Sequence, residues 1–326
     1  VLELRHGDAA MTAEGLPRAT PSPHRPVTRR QLVLLVLLTL MWGCNWPMMK
    51  FSLREVPPLT FRALTMSGGV LLMAAWFALR GTRLALPRAQ AGRVLTLALP
   101  NIVGWHFASI IGLTQLPAGR AGILAFTMPV WTVLLGALLF AQPLTRRALI
   151  ACICALAAVA LLALDELTTL AGRPVGVLWL QIAAASWALG TLLMRRIHVT
   201  LSTEALTIWM MAFGCVAFWA AALVAEPWPA WRVWGAATWV SLGWGVVVNF
   251  GISQLLWFSL ARELPPQASA FSLMAVPLVG VLSAAPVVGE VPRGSDWAAV
   301  LFIAAAIAAA TGLSRRHRAR GDNPPR

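Results

Sequence analysis

Charge is scarce in this chain: Asp, Glu, Lys and Arg together make up 12% of 326 residues, against 59% hydrophobic residues, and mean hydropathy is +0.73. That leaves too few charges to wet the surface of a soluble globule of this size, which points to an integral membrane protein. The strict alternation of lipid-facing barrel strands is also missing, which excludes a barrel. No phosphate-binding Gly-rich loop, HExxH or nucleophile elbow occurs, so energy for work comes from a gradient or from the solute itself. Cys44, Cys152, Cys154 and Cys215 all fall in apolar runs. Cys152 and Cys154, two apart on a helix, point in different directions, so neither a disulfide framework nor a metal site is expected, and no cofactor is implied.

What is present is a series of apolar stretches, each near the roughly 20 residues that carry a helix across a hydrocarbon core of about 30 Å. Ten are expected, near 31–53, 59–79, 94–115, 118–140, 147–164, 174–194, 204–225, 236–260, 265–289 and 296–313, which makes the fold an all-α integral membrane protein. Residues 1–30 mix prolines with arginines and read as a disordered cytoplasmic tail. The run after Arg30 is too long for a signal peptide and shows no cleavage pattern; Met11 is an alternative start. Residues 314–326 form a basic tail. With the amino terminus inside, the inner segments between Arg25 and Arg320 carry sixteen Arg and the outer ones seven Lys and Arg, so both termini are expected in the cytoplasm. The net charge of +14 then faces anionic lipid headgroups and implies no nucleic acid.

The chain repeats itself. "MPVWTVLLGALLFAQ" at 128–142 returns as "VPLVGVLSAAPVVGE" at 276–290, an offset of 148. At the same offset Asn101 meets Asn249, Leu116-Pro117 meets Leu264-Pro265, Pro129 meets Pro277, and Gln142 meets Glu290. At an offset of 145, Trp42 meets Trp187 and Lys50 meets Arg195. Each copy holds five spans, 31–164 and 174–313, so the second is inverted relative to the first, an arrangement found in secondary transporters.

"MWGCNWPMMKFSLREVPPLTFRALTMSGGVLLM" at 41–73, "LPAGRAGILAFTMPVWTVLLGALLFAQPLTRRALI" at 116–150 and "LPPQASAFSLMAVPLVGVLSAAPVVGEVP" at 264–292 resemble the two EamA repeats of the drug/metabolite transporter superfamily. The resemblance implies ten helices in two inverted five-helix repeats, a bacterial inner-membrane location, and movement of small metabolites, often outward. One departure stands out. The first repeat of the family usually ends its fourth helix in Gly-Glu, where this chain has Ala141-Gln142; the second keeps Gly289-Glu290.

Polar and aromatic side chains at mid-depth are the candidates for touching a solute, because a polar group facing lipid is costly. They are Asn45 and Trp46 beside Pro47, Asn101, Trp105 and His106 with Ser109, Ser186, Trp187 and Thr191, and Asn249, Ser253 and Gln254. Interhelical hydrogen bonding is the alternative for any one of them; lining one cavity is the favoured reading for the set, with Asn101 and Asn249 facing it from equivalent places. Trp46, Trp105, Trp187 and Trp257 are deep enough to wall such a cavity, while Trp228, Trp231, Trp234 and Trp239 belong to an interfacial belt. Lys50 and Arg54 either form an outer vestibule for an anion or snorkel to headgroups. Arg62, deeper and next to Phe61, is the stronger functional candidate.

Pro129 and Pro277 are expected to bend or start the fourth helix of each repeat, with Gln142 and Glu290 at the far membrane surface. Glu290 then caps the tenth helix or takes a direct part in gating or ion coupling. His106 is the one mid-depth group with an ordinary pKa, about 6.5, near working pH, which makes it the candidate carrier of a coupling proton, uniport being the alternative. The expected function is a secondary transporter, an exporter of amino acids or similar polar metabolites, with a small-molecule substrate and the lipid bilayer as its partners. A translocator of lipid-linked sugar or lipid is the alternative, and an integral-membrane enzyme the remote one.

Overall fold

A computed structural model of the chain describes residues 28–168, 173–256, 260 and 266–311, the side chains of 266–274 and 310–311 excepted. Most of the expected 1–30 tail, the 314–326 tail, Trp257, Leu264 and Pro265 lie outside the described residues. The first helix begins inside the expected 1–30 segment, at Arg29. Thr28 accepts from the Gln31 N–H at 3.2 Å while the Gln31 side chain accepts from the Thr28 N–H at 3.0 Å, a capping box that starts the first helix at Arg29.

The described elements are helical, with no strand among the described residues. We number them α1 (Arg29–Ser52), α2 (Pro58–Leu79), α3 (Arg88–Gln115), α4 (Ala118–Ala125), α5 (Met128–Phe140), α6 (Arg146–Thr168), α7 (Pro174–Met194), α8 (Thr203–Ala225), α9 (Ala236–Leu256), α10 (Pro266–Val288) and α11 (Gly294–Thr311). Among the described residues eight stretches are long and apolar enough to cross a membrane, with α4 and α5 counted as one; shorter apolar helices run over Ala275–Val288 and Gly294–Ala309. Leu71 (70% exposed), Leu138 (79%) and Val216 (70%) point away from the bundle, faces that hydrocarbon rather than water would cover.

Helix ends follow local chemistry. Pro58 and Pro174 sit in first turns, where a missing N–H is harmless, and Ser202 caps α8 by accepting from the Ala205 N–H at 3.2 Å. Ala141 closes α5 in the left-handed region at φ 51°. The fourth stretch is broken rather than bent: α4 stops at Ala125, and Pro129 lies in the first turn of α5. Pro277 instead lies inside a continuous α10, so the two equivalent prolines do different things. Two helices contain a wider π segment, Leu99–Gly104 in α3 and Trp244–Ile252 in α9. Asn101 lies in one and Asn249 in the other.

Packing joins distant parts of the chain. The helix α1 lies along α10 and α9, α2 along α8 and α9, α3 along α7 and α8, α4 along α10, α4 and α5 along α7, and α6 along α11. Close approach needs small residues. A Cβ on Gly69 would fall 2.2 Å from the Phe250 Cβ, so only glycine lets α2 meet α9 there.

Candidate functional site

Four buried side-chain atoms among the described residues have no hydrogen-bond partner: Asn45 Oδ1, Arg62 Nε, His106 Nδ1 and Trp244 Nε1. They come from α1, α2, α3 and α9. Buried polar groups are normally paired, since leaving one unpaired costs about 1–3 kcal/mol. Contacts link the surroundings of Arg62 and His106. Arg62 Nη2 donates to the thioether of Met49 on α1 at 3.2 Å, and its guanidinium lies 5.8 Å from the Phe61 ring. Thr65, one turn on, returns its hydroxyl to the Phe61 carbonyl at 2.8 Å and presses its methyl side against Gly245 of α9. Phe250, five residues along α9, meets the His106 ring edge to face at 5.5 Å. Arg62 and His106 also interact electrostatically. Beside them Trp105 of α3 packs on Trp187 of α7 at 5.3 Å.

The remaining candidates divide. Trp46 is 5% exposed and lies against Gly122 of α4 and Gly280 of α10, a packing position. Asn101 donates its amide to the Leu97 carbonyl at 2.9 Å and fills the space over Gly190 of α7, where a Cβ would come within 2.5 Å of it. Its amide thus serves the backbone just before its own π segment. Asn249 is buried in the matching segment of α9. Ser253 is buried with its hydroxyl toward the Met41 sulfur at 3.4 Å, and Gln254 is half-buried one residue on. The Thr191 hydroxyl returns to the Trp187 carbonyl at 3.0 Å. Gln142 is exposed; its N–H caps α5 by donating to Gly136 at 3.1 Å.

At one end of the bundle the charges find uses that spacing alone did not reveal. The Lys50 ammonium donates to the carbonyls of Leu113 at 2.7 Å and Leu116 at 2.9 Å, capping the end of α3, where the helix dipole favours a cation. Arg54 does the same for α10 through the Val288 carbonyl at 2.9 Å. Glu290 caps not the tenth helix but the fourth stretch, accepting from the Ala118 N–H at 2.6 Å; α11 is capped by Asp296, which accepts from the Arg293 N–H at 2.7 Å. The capping expectation for Glu290 failed because it took the cap from the neighbour in sequence, whereas the free N–H group came from a neighbour in space. Burial holds the Glu290 carboxyl above the ordinary glutamate range, against the pull of the Ala118 N–H and of Lys50. Lys50, Leu53, Arg54, Thr114, Val288 and Glu290 line an open cavity of about 160 Å³.

Two features of this end went unforeseen. Glu226, just past α8, accepts from the N–H groups of Leu59 and Thr60, both at 2.7 Å, and from the Thr60 hydroxyl at 2.8 Å, so it caps α2. Arg120, 2% exposed, is held by Asp165, Glu166 and Asp296 together, tying α4 to α6 and α11. The available signal was the adjacent pair Asp165-Glu166 at a helix end in a chain with so few acids.

A family model described as the EamA-like transporter family matches residues 29–164 and again 174–312. "Uncharacterized transporter YvbV" of Bacillus subtilis (strain 168) is 29% identical over 313 residues, 90% of this chain and 95% of that one. "Uncharacterized inner membrane transporter YedA" of Escherichia coli (strain K12) is 24% identical over 277 residues, 85% of this chain and 89% of the relative. The "Probable amino-acid metabolite efflux pump" of the same strain is 25% identical over 292 residues, 85% of this chain and 93% of the relative. A solved structure titled only "Crystal structure of protein" superposes with a TM-score of 0.62 at 22% identity, over 88% of this chain and 98% of that one, which bears on the fold alone.

Proposed function

Because the chain belongs to the EamA-like transporter family, we propose that it is a secondary transporter that moves small polar metabolites, amino acids or close relatives, outward across a bacterial inner membrane by alternating access. The observation that carries the site is the set of unpartnered atoms on Asn45, Arg62, His106 and Trp244, one from each of four helices that pack together. A fold meant only for stability gains nothing from leaving such groups unpaired. A solute can satisfy them.

The architecture proposed is ten spans in two inverted five-span repeats, 31–164 and 174–313, with both termini cytoplasmic. The packing supports it. Exchanging each span with its counterpart turns the α1 and α10 contact into that of α7 with α4 and α5, the α2 and α9 contact into that of α8 with α3, and the α3 and α7 contact into that of α9 with α1; all of these contacts occur. The paired π segments at Asn101 and Asn249 and the double match of the family model fit the same twofold relation. π segments break the regular hydrogen-bond ladder and often mark functional positions. His106, with its free Nδ1, is the group assigned to a coupling proton. The amino-acid reading is supported by the relative named as an amino-acid metabolite efflux pump.

The test is counterflow in proteoliposomes loaded with pooled unlabelled metabolites and offered the same pool labelled. Protein-dependent uptake of at least one polar metabolite is expected. Absence of exchange for every member, with the protein folded, contradicts the transporter reading; exchange of lipid-linked sugars instead moves it to a lipid translocator.

A further inference from the structure

We infer that the solute is a small carboxylate anion and that Arg62 is the residue that selects for its charge; this rests on the transporter reading above. Arg62 is 1% exposed. A guanidinium stays protonated where other groups would neutralise, and an ion held in a dry interior without a counter-charge costs several kcal/mol. The counter-charge does not come from the described protein. Asp165, Glu166 and Asp296 are committed to Arg120, Glu226 to Leu59 and Thr60, Glu290 to Ala118 and Glu55 to Gly235. Glu204 lies in the first turn of α8, at the opposite end of the bundle from the Thr60 end of α2 that Glu226 reaches.

The companions sharpen the chemistry. Trp244 Nε1 is a donor, and an imidazole Nδ1 can donate in one tautomer, so both suit the oxygens of an anion held by Arg62. Asn45 Oδ1 is an acceptor and suits a hydroxyl or amino donor on the same solute. An anionic group with a hydrogen-bond donor close by is the pattern of hydroxy and amino acids. A neutral carboxamide of the same shape leaves the guanidinium uncompensated and should be refused, as buried charges discriminate strongly against ligands that fail to pair them. Carboxylate and guanidinium also match as planar forks.

The experiment has two arms. In the first, counterflow by the parent protein is competed with acid and amide pairs: lactate against lactamide, L-leucine against L-leucinamide, and inorganic phosphate alone. At least one acid is expected to compete at a concentration about tenfold or more below its amide, and Arg62→Met to lose exchange. An amide as effective as its acid, phosphate as the best competitor, or exchange that no acid inhibits overturns the inference. In the second arm, the melting temperature of Arg62→Met is measured in detergent without solute. Removing an uncompensated buried charge while keeping the volume should raise it, by roughly 3 °C or more; a fall means the fold itself holds Arg62 and overturns the inference. A parent without any exchange contradicts the transporter reading alone, and the melting arm still decides the role of Arg62.

Discussion

Two arginines are almost equally buried, Arg62 at 1% and Arg120 at 2% exposure, yet their surroundings are opposites. Arg120 lies at the end of the bundle among Asp165, Glu166 and Asp296, with Arg293 bound to Asp165 at 3.1 Å on the rim. Arg62 lies between Met49 and Phe61, with no carboxylate bound to it among the described residues. A saturated cation has been used up by the fold and joins three helices. An unsaturated one is kept for something that comes and goes.

If that contrast holds, the largest loss should come from emptying the saturated site. Arg120→Met leaves three carboxylates facing one another and should cost about 3–5 kcal/mol, read as a large fall in melting temperature in detergent; a change under about 1 kcal/mol would put Arg120 in the same class as Arg62 and break the comparison. Next comes Glu226→Ala, which removes the acceptor of two backbone N–H groups and a hydroxyl at the start of α2. A loss of about 1–3 kcal/mol is expected, with solute selectivity unchanged, because this acid is structural.

A smaller effect separates Glu290 from these. Its folded pKa is raised, first by burial, so the folded protein holds a proton there at pH values where the unfolded chain has lost it. Its contribution to stability is therefore fully present below the ordinary glutamate pKa and is lost as pH rises through the raised folded value. Melting temperature measured across that window should slope downward with rising pH, and Glu290→Gln should flatten the slope. The smallest structural effect is expected of His106→Gln, which keeps hydrogen bonding but cannot titrate. Its melting temperature should change little, while accumulation driven by an imposed pH gradient is lost and exchange stays within about tenfold. Retained accumulation would leave His106 as a hydrogen-bonding partner only.

Much of the helical layout was legible because most spans are long apolar runs bounded by proline, glycine or arginine, and Arg62 and His106 stood out as ionisable groups in such runs. The break between α4 and α5 was not legible: Pro129 and Pro277 occupy equivalent places, and only their packing decides that one restarts a helix and the other lies within it. Nor were the π segments, since one residue of slack in a helix leaves the apolar pattern unchanged. The caps made by Lys50, Glu226 and Glu290 were hidden for a further reason. Each acts on a helix end 60 or more residues away in sequence, as Lys50 does on Leu113, and no local pattern records such a meeting.

The central claim, that Arg62 is left unpaired for the solute while Arg120 is paired for the fold, is tested most directly by melting Arg62→Met and Arg120→Met side by side in one detergent without added solute. The account predicts shifts of opposite sign, upward for Arg62→Met and downward for Arg120→Met; two downward shifts of similar size would contradict it.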